Sequence, residues 1–464
     1  MKYSITFLER DFTELQAAIF KDYTVERAAM LRCRTSITGE EVRFLVRSVH
    51  IFMGEDLNEA TPYNVSVKST AFMRVLKASD TANESIVFVH THPGGETFFS
   101  TQDDRTETPF FRTVFTRVVR ATHHGSLIFA EPDRFIGRVW LSDGTTVPLT
   151  DIRVVGDRWR FLRADHVAEP LPVFFDRQVR AFGPEIQHVL AQLHVGVVGA
   201  GGTGSPTIEQ LTRLGIGTLT VIDDQTLDRS NINRVYNSGV ADVNLPKVEI
   251  VRRTVEHIAV NTRLRTFQGR ITQEAVAQEL RSCDVIFGCT DDHWGRAILN
   301  ELALRYLIPV IDMGVKVASE KGKITHIFSR VTMLQPGYAC LHCRQRISPE
   351  RARLEGLNPE ELARLRGLGY AEGLEDPAPA VISFTSLTAS LAVSEFLNRL
   401  IGFTGSSSAS EILHSSIDRR TSTNRGEARS ECTCQNSAIW GLGDTRLFLD
   451  MTWPEISMVA ALSE

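Results

Sequence analysis

No stretch of this chain approaches the roughly 20 consecutive apolar residues that a membrane-spanning helix needs, so a bilayer is not its expected setting. The opening residues, MKYSITFLERDFTE, have no basic start running into an apolar core of the kind that addresses a chain for secretion. Cysteine is scarce, seven in 464 residues, and four of the seven fall in two tight pairs. That usage suits a metal site in a reducing compartment better than a disulfide framework. There is no excess of basic residues either: the net charge is −5, which argues against a general nucleic-acid binder. A cytoplasmic location is the expectation these absences leave. What is present is 42% hydrophobic and 23% charged residues, the composition of a soluble globular protein, and enough length for two domains.

No internal repeat is visible. Residues 1–165 alternate short β-like runs (Ala28–Leu31, Val42–Val49, Ser85–Val89, Ser126–Phe129) with polar connections and two helical segments. These helices are expected at Asp11–Phe20 and at Pro109–Arg120, the second with its proline in the first turn. This predicts a smaller α/β domain. A proline-punctuated connector over about 165–185 leads into a helix. From there to 464, the β-branched runs His194–Val198, Leu219–Ile222, Val285–Phe287 and Pro309–Ile311 alternate with helical patterns, as buried parallel strands do. The second domain, 166–464, is therefore expected to be α/β, Rossmann-like, with a mainly parallel sheet. Thr404–Ser410 is small and polar, a loop.

The run His194–Val198 enters Gly199-Ala200-Gly201-Gly202-Thr203-Gly204, followed by the helical SPTIEQLTRLG. Glycines permit a sharp turn and close approach of phosphate, and the helix N-terminus offers unpaired N–H groups. Asp223 ends the next strand, where a carboxylate can accept ribose hydroxyls. Up to this point a dinucleotide would serve as well as ATP. Asn231 and Arg234 in SNINR, then Lys247, then Asp291 in Cys289-Thr290-Asp291-Asp292 favour ATP. A triphosphate needs cations, and its magnesium needs a carboxylate.

These residues resemble the ThiF/MoeB/HesA family and the adenylation domains of ubiquitin-activating enzymes, over about 175–464. Gly199, Gly201, Gly202, Gly204, Asp223, Asn231, Arg234, Lys247 and Asp291 each match the family's nucleotide motifs. Where the family often has Asp-x-Asp, this chain reads Asp223-Asp224-Gln225. Arg177-Gln178 resembles the motif whose arginine reaches a partner's ATP, which implies a homodimer with shared sites. The implied reaction is ATP- and magnesium-dependent adenylation of the C-terminal carboxylate of a ubiquitin-like or sulfur-carrier protein.

Cys340-Leu341-His342-Cys343 and Cys432-Thr433-Cys434 can supply four thiolates to a structural zinc, with His342 outside the expected ligand set. Cys289 is read as a small packing residue. Thioester-forming relatives carry a cysteine in the crossover after the zinc pair; Arg344 to Ala378 has none, and reads as two short helices starting near Ser348 and Asn358. Hand-over from the adenylate to a conjugating enzyme's thiol or to a sulfur donor is therefore the alternative to a thioester on this chain.

Near the N-terminus, His90 and His92 stand at period two on a strand end, and Asp103 can complete a three-ligand metal set. The string His90-Thr91-His92-Pro93 … Ser100-Thr101-Gln102-Asp103 resembles the JAMM motif of JAB/MPN zinc metallopeptidases, over about 10–160. That resemblance implies a glutamate base, for which Glu26 fits best, and an oxyanion-stabilising serine, Ser100. Glu40, Glu41 and Glu55 lie in more polar, turn-like surroundings, and His123-His124 reads as a loop pair without a metal role. The two motif sets predict a two-headed enzyme that processes or removes a ubiquitin-like protein and adenylates its C-terminus. The fusion resembles bacterial ubiquitin-like systems, some linked to phage defence; the alternative is sulfur-carrier activation for cofactor or natural-product biosynthesis.

Overall fold

The structure, a computed structural model, describes residues 1–164, 170–357, 359–367, 379–405 and 409–453. The expected domain boundary at 165/166, Asn358, and the middle of the loop Thr404–Ser410 lie outside the described residues. The chain divides into two compact units: Met1–Glu169 with the short segments Arg305–Leu307 and Ala438–Thr445, and the remainder.

The first unit holds eleven strands and three helices among its described residues. The strands are β1 (Lys2–Leu8), β2 (Ala28–Ile37), β3 (Glu41–Phe52), β4 (Leu57–Thr61), β5 (Asn64–Val67), β6 (Ser85–Thr91), β7 (His123–Glu131), β8 (Arg134–Leu141), β9 (Thr146–Leu149), β10 (Asp151–Val155) and β11 (Arg160–Arg163). The helices are α1 (Glu9–Ile19), α2 (Ser69–Ala82) and α3 (Thr101–Arg117). Nine strands form one mixed sheet, ordered β11-β10-β1-β3-β2-β6-β7-β8-β9, and β4 and β5 pair by themselves. Strand alternation sends neighbouring residues to opposite faces. Ala29, Leu31, Val87 and Val89 thus join Phe12, Leu15 and Ile19 of α1 in one cluster. Ala28, Met30 and Ile86 join Val75 and Leu76 of α2 and Phe111 and Val114 of α3 in another. The sheet is a layer with a core on each side.

Two local expectations are corrected here. The second helix starts at Thr101, not at Pro109: Ser100 accepts a hydrogen bond from the Asp103 N–H at 3.1 Å while the Asp103 carboxylate accepts from the Ser100 N–H at 2.6 Å. This capping box nucleates the helix a full two turns earlier and leaves Pro109 in its interior. His123-His124 is not a loop pair but the start of β7, with His124 fully buried and its Nδ1 accepting from the Ile86 N–H at 3.0 Å.

In the second unit the strands are β12 (His194–Val198), β13 (Thr218–Ile222), β14 (Arg263–Phe267), β15 (Val285–Gly288), β16 (Val310–Glu320), β17 (Lys323–Leu334), β18 (Glu411–Ser415) and β19 (Arg420–Asn424). Its helices are α4 (Asp176–Phe182), α5 (Pro184–Gln192), α6 (Gly204–Arg213), α7 (Lys247–Ile258), α8 (Glu274–Gln278), α9 (His293–Arg305), α10 (Pro349–Glu355), α11 (Pro359–Gly367) and α12 (Ile382–Ile401). One sheet runs β14-β13-β12-β15-β16-β17-β18-β19. Its first five strands are parallel and the last three join antiparallel. Val195, Val197, Leu219, Val221, Val285, Phe287, Val310 and Ile311 are all fully buried, as strands covered on both faces require. The chain leaves β12 in one direction for β13 and β14, then returns to β15 on the other side. A cleft opens at such a reversal, at the carboxyl ends of the strands.

Candidate functional site

The first site grows from the alternation of β6. His90 has the parity of Ile86 and so faces the side on which α3 packs, and it stands opposite Ala28 of β2. His92 follows just beyond the strand. The capping box at Ser100 sets Asp103 as the third residue of α3, aimed at both rings. His90 Nε2 is 3.1 Å from Asp103 Oδ1, and His92 Nε2 is 3.6 Å from Oδ2. The three donor atoms lie within 4.8 Å of one another. His90 Nδ1 is buried without a hydrogen bond, and its Nε2 faces only the Asp103 carboxylate. A two-histidine, one-carboxylate set with an orphaned buried imidazole nitrogen fits a zinc ion.

Glu26 precedes β2 rather than beginning it, its N–H bonded to Thr61 O at 2.8 Å. It is 6% exposed. Burial raises its carboxyl pKa, and the nearby His90 and His92 oppose that rise while Asp103 adds to it. A partly desolvated carboxyl beside two imidazoles is what a general base needs. The Ser100 oxygen is used as a cap acceptor, which leaves its hydroxyl proton free to donate. Glu41, expected in turn-like surroundings, is instead buried on β3. There Ser4 donates to it at 2.7 Å, and Arg43 and Arg153 pair with it at 2.8 and 2.9 Å. Burial works against its charge, yet the two guanidiniums hold its pKa far below the usual carboxylate range. It is a structural anion.

The second site is the cleft of the eight-stranded sheet, a cavity of ≈ 330 Å³. Gly199, with φ 96°, turns the chain; a Cβ there would meet the Cys289 carbonyl oxygen at 2.8 Å. Gly204 has a different duty: a Cβ would fall 1.8 Å from the Gly199 carbonyl oxygen, so only glycine lets α6 start this close to β12. Asp223, just past β13, accepts from the Ala200 N–H at 2.7 Å and the Gln225 N–H at 2.8 Å, tying the glycine turn to the next strand. Its pKa is raised by burial, against the pull of Lys247.

Lys247 is 5% exposed and donates to Gln225 Oε1 at 2.6 Å, so the residue that departs from the Asp-x-Asp pattern is the one that orients the lysine. Arg234 lays its chain against Gly202 and donates to the Ser230 carbonyl at 2.6 Å. Gly201, Gly202, Asn231, Arg234, Lys247 and Asp291 all line the cavity. Of the two aspartates after β15, Asp292 is spent as a cap, accepting from Thr290 Oγ1 and the Gly295 N–H. No hydrogen bond from a described residue reaches the Asp291 carboxylate, which leaves it open for a hard cation such as magnesium.

Arg177 is not brought to this cavity; it is exposed on α4. Four cavity elements carry no signal in the sequence. One is Gly269–Thr272 after β14, an arginine-interrupted strand whose apolar signal is weak. The others are Arg296 on α9, Met313–Val315 within β16, and Pro379 and Ala380 with Thr385 of α12.

The four cysteines of the two tight pairs converge, with all sulfurs within 4.8 Å. Cys340 and Cys432 are 3.6 Å apart, as are Cys343 and Cys434. Hydrogen bonds from neighbouring thiols pull Cys434 towards the thiolate. The donor set fits a structural zinc, and His342 stays outside it. Cys289, read as packing, lies against the cavity, with its thiol pushed up to about 12 by burial.

The ThiF family model matches residues 175–436, and a model of prokaryotic homologs of the JAB domain matches residues 9–127. The SAMP-activating enzyme E1 of Haloferax volcanii is 30% identical over 168 residues, 36% of this chain and 59% of that protein. The sulfur carrier protein ThiS adenylyltransferase of Escherichia coli is 29% identical over 125 residues, 27% of this chain and 50% of its own. The chain thus spans about three-fifths or less of these curated relatives. The crystal structure of E. coli MccB with ATP aligns with a TM-score of 0.44 and 16% identity, over 57% of this chain and 74% of that one. The chain belongs to the ThiF family and carries, ahead of its ThiF domain, a domain of the prokaryotic JAB type.

Proposed function

We propose that residues 166–464 adenylate the C-terminal carboxylate of a ubiquitin-like or sulfur-carrier protein, and that residues 1–165 are a zinc (iso)peptidase that processes or releases such a protein. The observation that carries the first half is the cavity that gathers the glycine turn, Lys247 and the uncommitted Asp291 carboxylate. A carboxylate oxygen of the carrier attacks the α-phosphorus of ATP; the bond to the β-phosphate breaks and pyrophosphate leaves with its electron pair. Lys247 and Arg234 neutralise the phosphates, Asp223 fixes the turn and the ribose, and Asn231 lines the same wall. Asp291 would hold the magnesium, which screens the triphosphate charge. Catalysis here is positioning and charge neutralisation. Arg177 serves the partner's site in a homodimer.

At the other head, His90, His92 and Asp103 would hold a zinc ion, whose Lewis acidity favours attack of water on a peptide carbonyl. Glu26 takes the proton from the attacking water and delivers it to the leaving amine, and the Ser100 hydroxyl donates to the oxyanion.

ATP–pyrophosphate exchange with ubiquitin-like carriers ending in Gly-Gly tests adenylation; exchange undiminished in Asp291→Ala would exclude that residue's role. Cleavage of a carrier fusion tests the peptidase, and Glu26→Gln is expected to abolish it. The subsequent hand-over is to a thiol or sulfur donor on another protein. Cys33 and Cys283 are fully buried, Cys289 is held as the neutral thiol, and the other four cysteines sit together in the cluster. This favours sulfur-carrier activation as a second reading of the product, and a thiocarboxylate detected by intact mass distinguishes it. Phage defence rests on the fusion of the two heads; loss of plaque reduction in cells carrying Asp291→Ala tests it.

A further inference from the structure

The wall of the nucleotide cavity formed by α9 and β16 contains a charge arrangement that the phosphate-facing residues do not explain. Asp312 on β16 is 0% exposed. Two guanidiniums share its carboxylate: Arg296 Nε lies 3.3 Å from Oδ1, and Arg330 Nη2 lies 2.6 Å from Oδ2. Their side chains are only 13% and 10% exposed. Two buried cations against one anion leave a net positive charge in a low-dielectric wall, an arrangement that costs stability unless a further anion joins it.

The geometry shows where that anion fits. Gly314 stands directly opposite Arg330 across the β16–β17 pair and, two residues on from Asp312, shares its face of the strand. The point at which a side chain of residue 314 would begin is 3.2 Å from Arg330 Nη2 and 3.6 Å from Arg296 Nη2. The remaining contacts leave that edge open: Arg330 Nη1 is turned to Thr332 Oγ1 at 2.6 Å and Arg296 Nη1 to the Asp291 carbonyl at 3.4 Å. Arg296, Gly314 and Asp291 line the same cavity as the glycine turn. The turn itself sits at the end of β12 with Lys247 and Arg234, so the phosphates have their own cations on the other side of β15.

We infer that Arg296, Gly314 and Arg330 form a cradle for the free C-terminal carboxylate of the acyl substrate, holding it beside the α-phosphate it attacks. The inference rests on the adenylation reading above. Paired guanidinium N–H groups match a carboxylate in shape and charge, and the absent side chain at 314 admits a terminal glycine. Such a cradle offsets the repulsion between the incoming anion and the triphosphate. It also rejects a chain end that is amidated or already conjugated. When the acyl phosphate bond forms, the carboxylate loses its charge and the cradle's hold weakens. Binding is strongest before reaction, so the cradle acts on substrate selection rather than on the chemical step.

The test uses the full-length protein and glycylglycine as the probe, with glycylglycinamide as control, each titrated with and without a non-hydrolysable ATP analogue and followed by the ¹³C signal of the terminal carbonyl. The wild type is expected to bind the dipeptide and not its amide. Gly314→Ala fills the cradle while leaving both arginines, and Arg296→Gln removes one arm; each is expected to weaken dipeptide binding at least about tenfold. A cooperative urea-unfolding transition like that of the wild type in both variants shows that they are folded. Equal binding of acid and amide by the wild type overturns the cradle, as does dipeptide affinity retained in both variants. Dipeptide binding by a wild-type protein that takes no ATP analogue would instead overturn the adenylation reading and leave the cradle standing.

Discussion

Gly204 sits so close to the Gly199 carbonyl that a single methyl must push α6 away from β12. Gly204→Ala is expected to cost about 1–3 kcal/mol of stability and to weaken ATP binding by more than about tenfold, checked by urea denaturation and by ATP titration. His124 shows a different single-residue dependence. Burial, and then the neighbouring His123, lower its pKa from 6.5 to about 3, so the folded protein refuses a proton that the unfolded chain accepts below pH 6.5. Stability from this group is complete above pH 6.5 and is lost as pH falls towards 3, by up to ~1.4 kcal/mol per unit. Between pH 7 and 5 the loss is expected to be about 2 kcal/mol. His124→Asn retains an acceptor for the Ile86 N–H and is expected to flatten that slope in urea melts of the two proteins.

At the scale of the element, α3 depends on its cap. Ser100→Ala is expected to cost about 1 kcal/mol and Ser100→Gly only a few tenths. Both lose the hydroxyl, so a comparison of melting with peptidase rate separates capping from oxyanion binding. The same helix shows what sequence patterns convey and what they hide. Ser-x-x-Asp carried two signals at once, a metal-motif fragment and a helix start. Reading it only as the former misplaced the helix at Pro109. Strands with apolar runs on both faces, such as β12 and β15, were legible because burial on both sides leaves them apolar throughout, but for His194 at the start of β12. β14 reads RLRTF and was not, since Arg263 is exposed and Arg265 is held by Glu279, a partner that no local pattern reveals. The Thr290–Asp292 run was legible as a pair of aspartates, but only the structure separates their surroundings: Asp292 is consumed by the α9 N-terminus. The charges at Asp312, Arg296 and Arg330 come from two strands and a helix, and nothing in their spacing announces that they meet.

For the whole molecule, the clustered side chains predict two zinc ions per chain, read by metal analysis of protein purified without chelator. Cys343→Ser is expected to lose one, with destabilisation of the unit that holds it. His90→Ala is expected to lose the other while leaving ATP affinity unchanged. Equal zinc content in the wild type and both variants would exclude the two sites as metal centres. Cys33 and Cys283 are buried inside the two units and four further thiols are clustered, which leaves Cys289 as the one cysteine of the described residues outside both groups.

Asp103 is at once the third residue of a helix cap and a member of the histidine cluster. One of its oxygens takes the Ser100 N–H at 2.6 Å, while the other lies nearest His90. A glutamate there has the same charge and one more methylene, yet it could reach the histidines only by giving up the cap, or hold the cap only by overshooting the histidines. Position 103 is thus confined to a single amino acid by length rather than by charge. Mutational scanning should find Asp103→Glu no better tolerated than Asp103→Ala, a flat profile where acidity alone would predict a graded one.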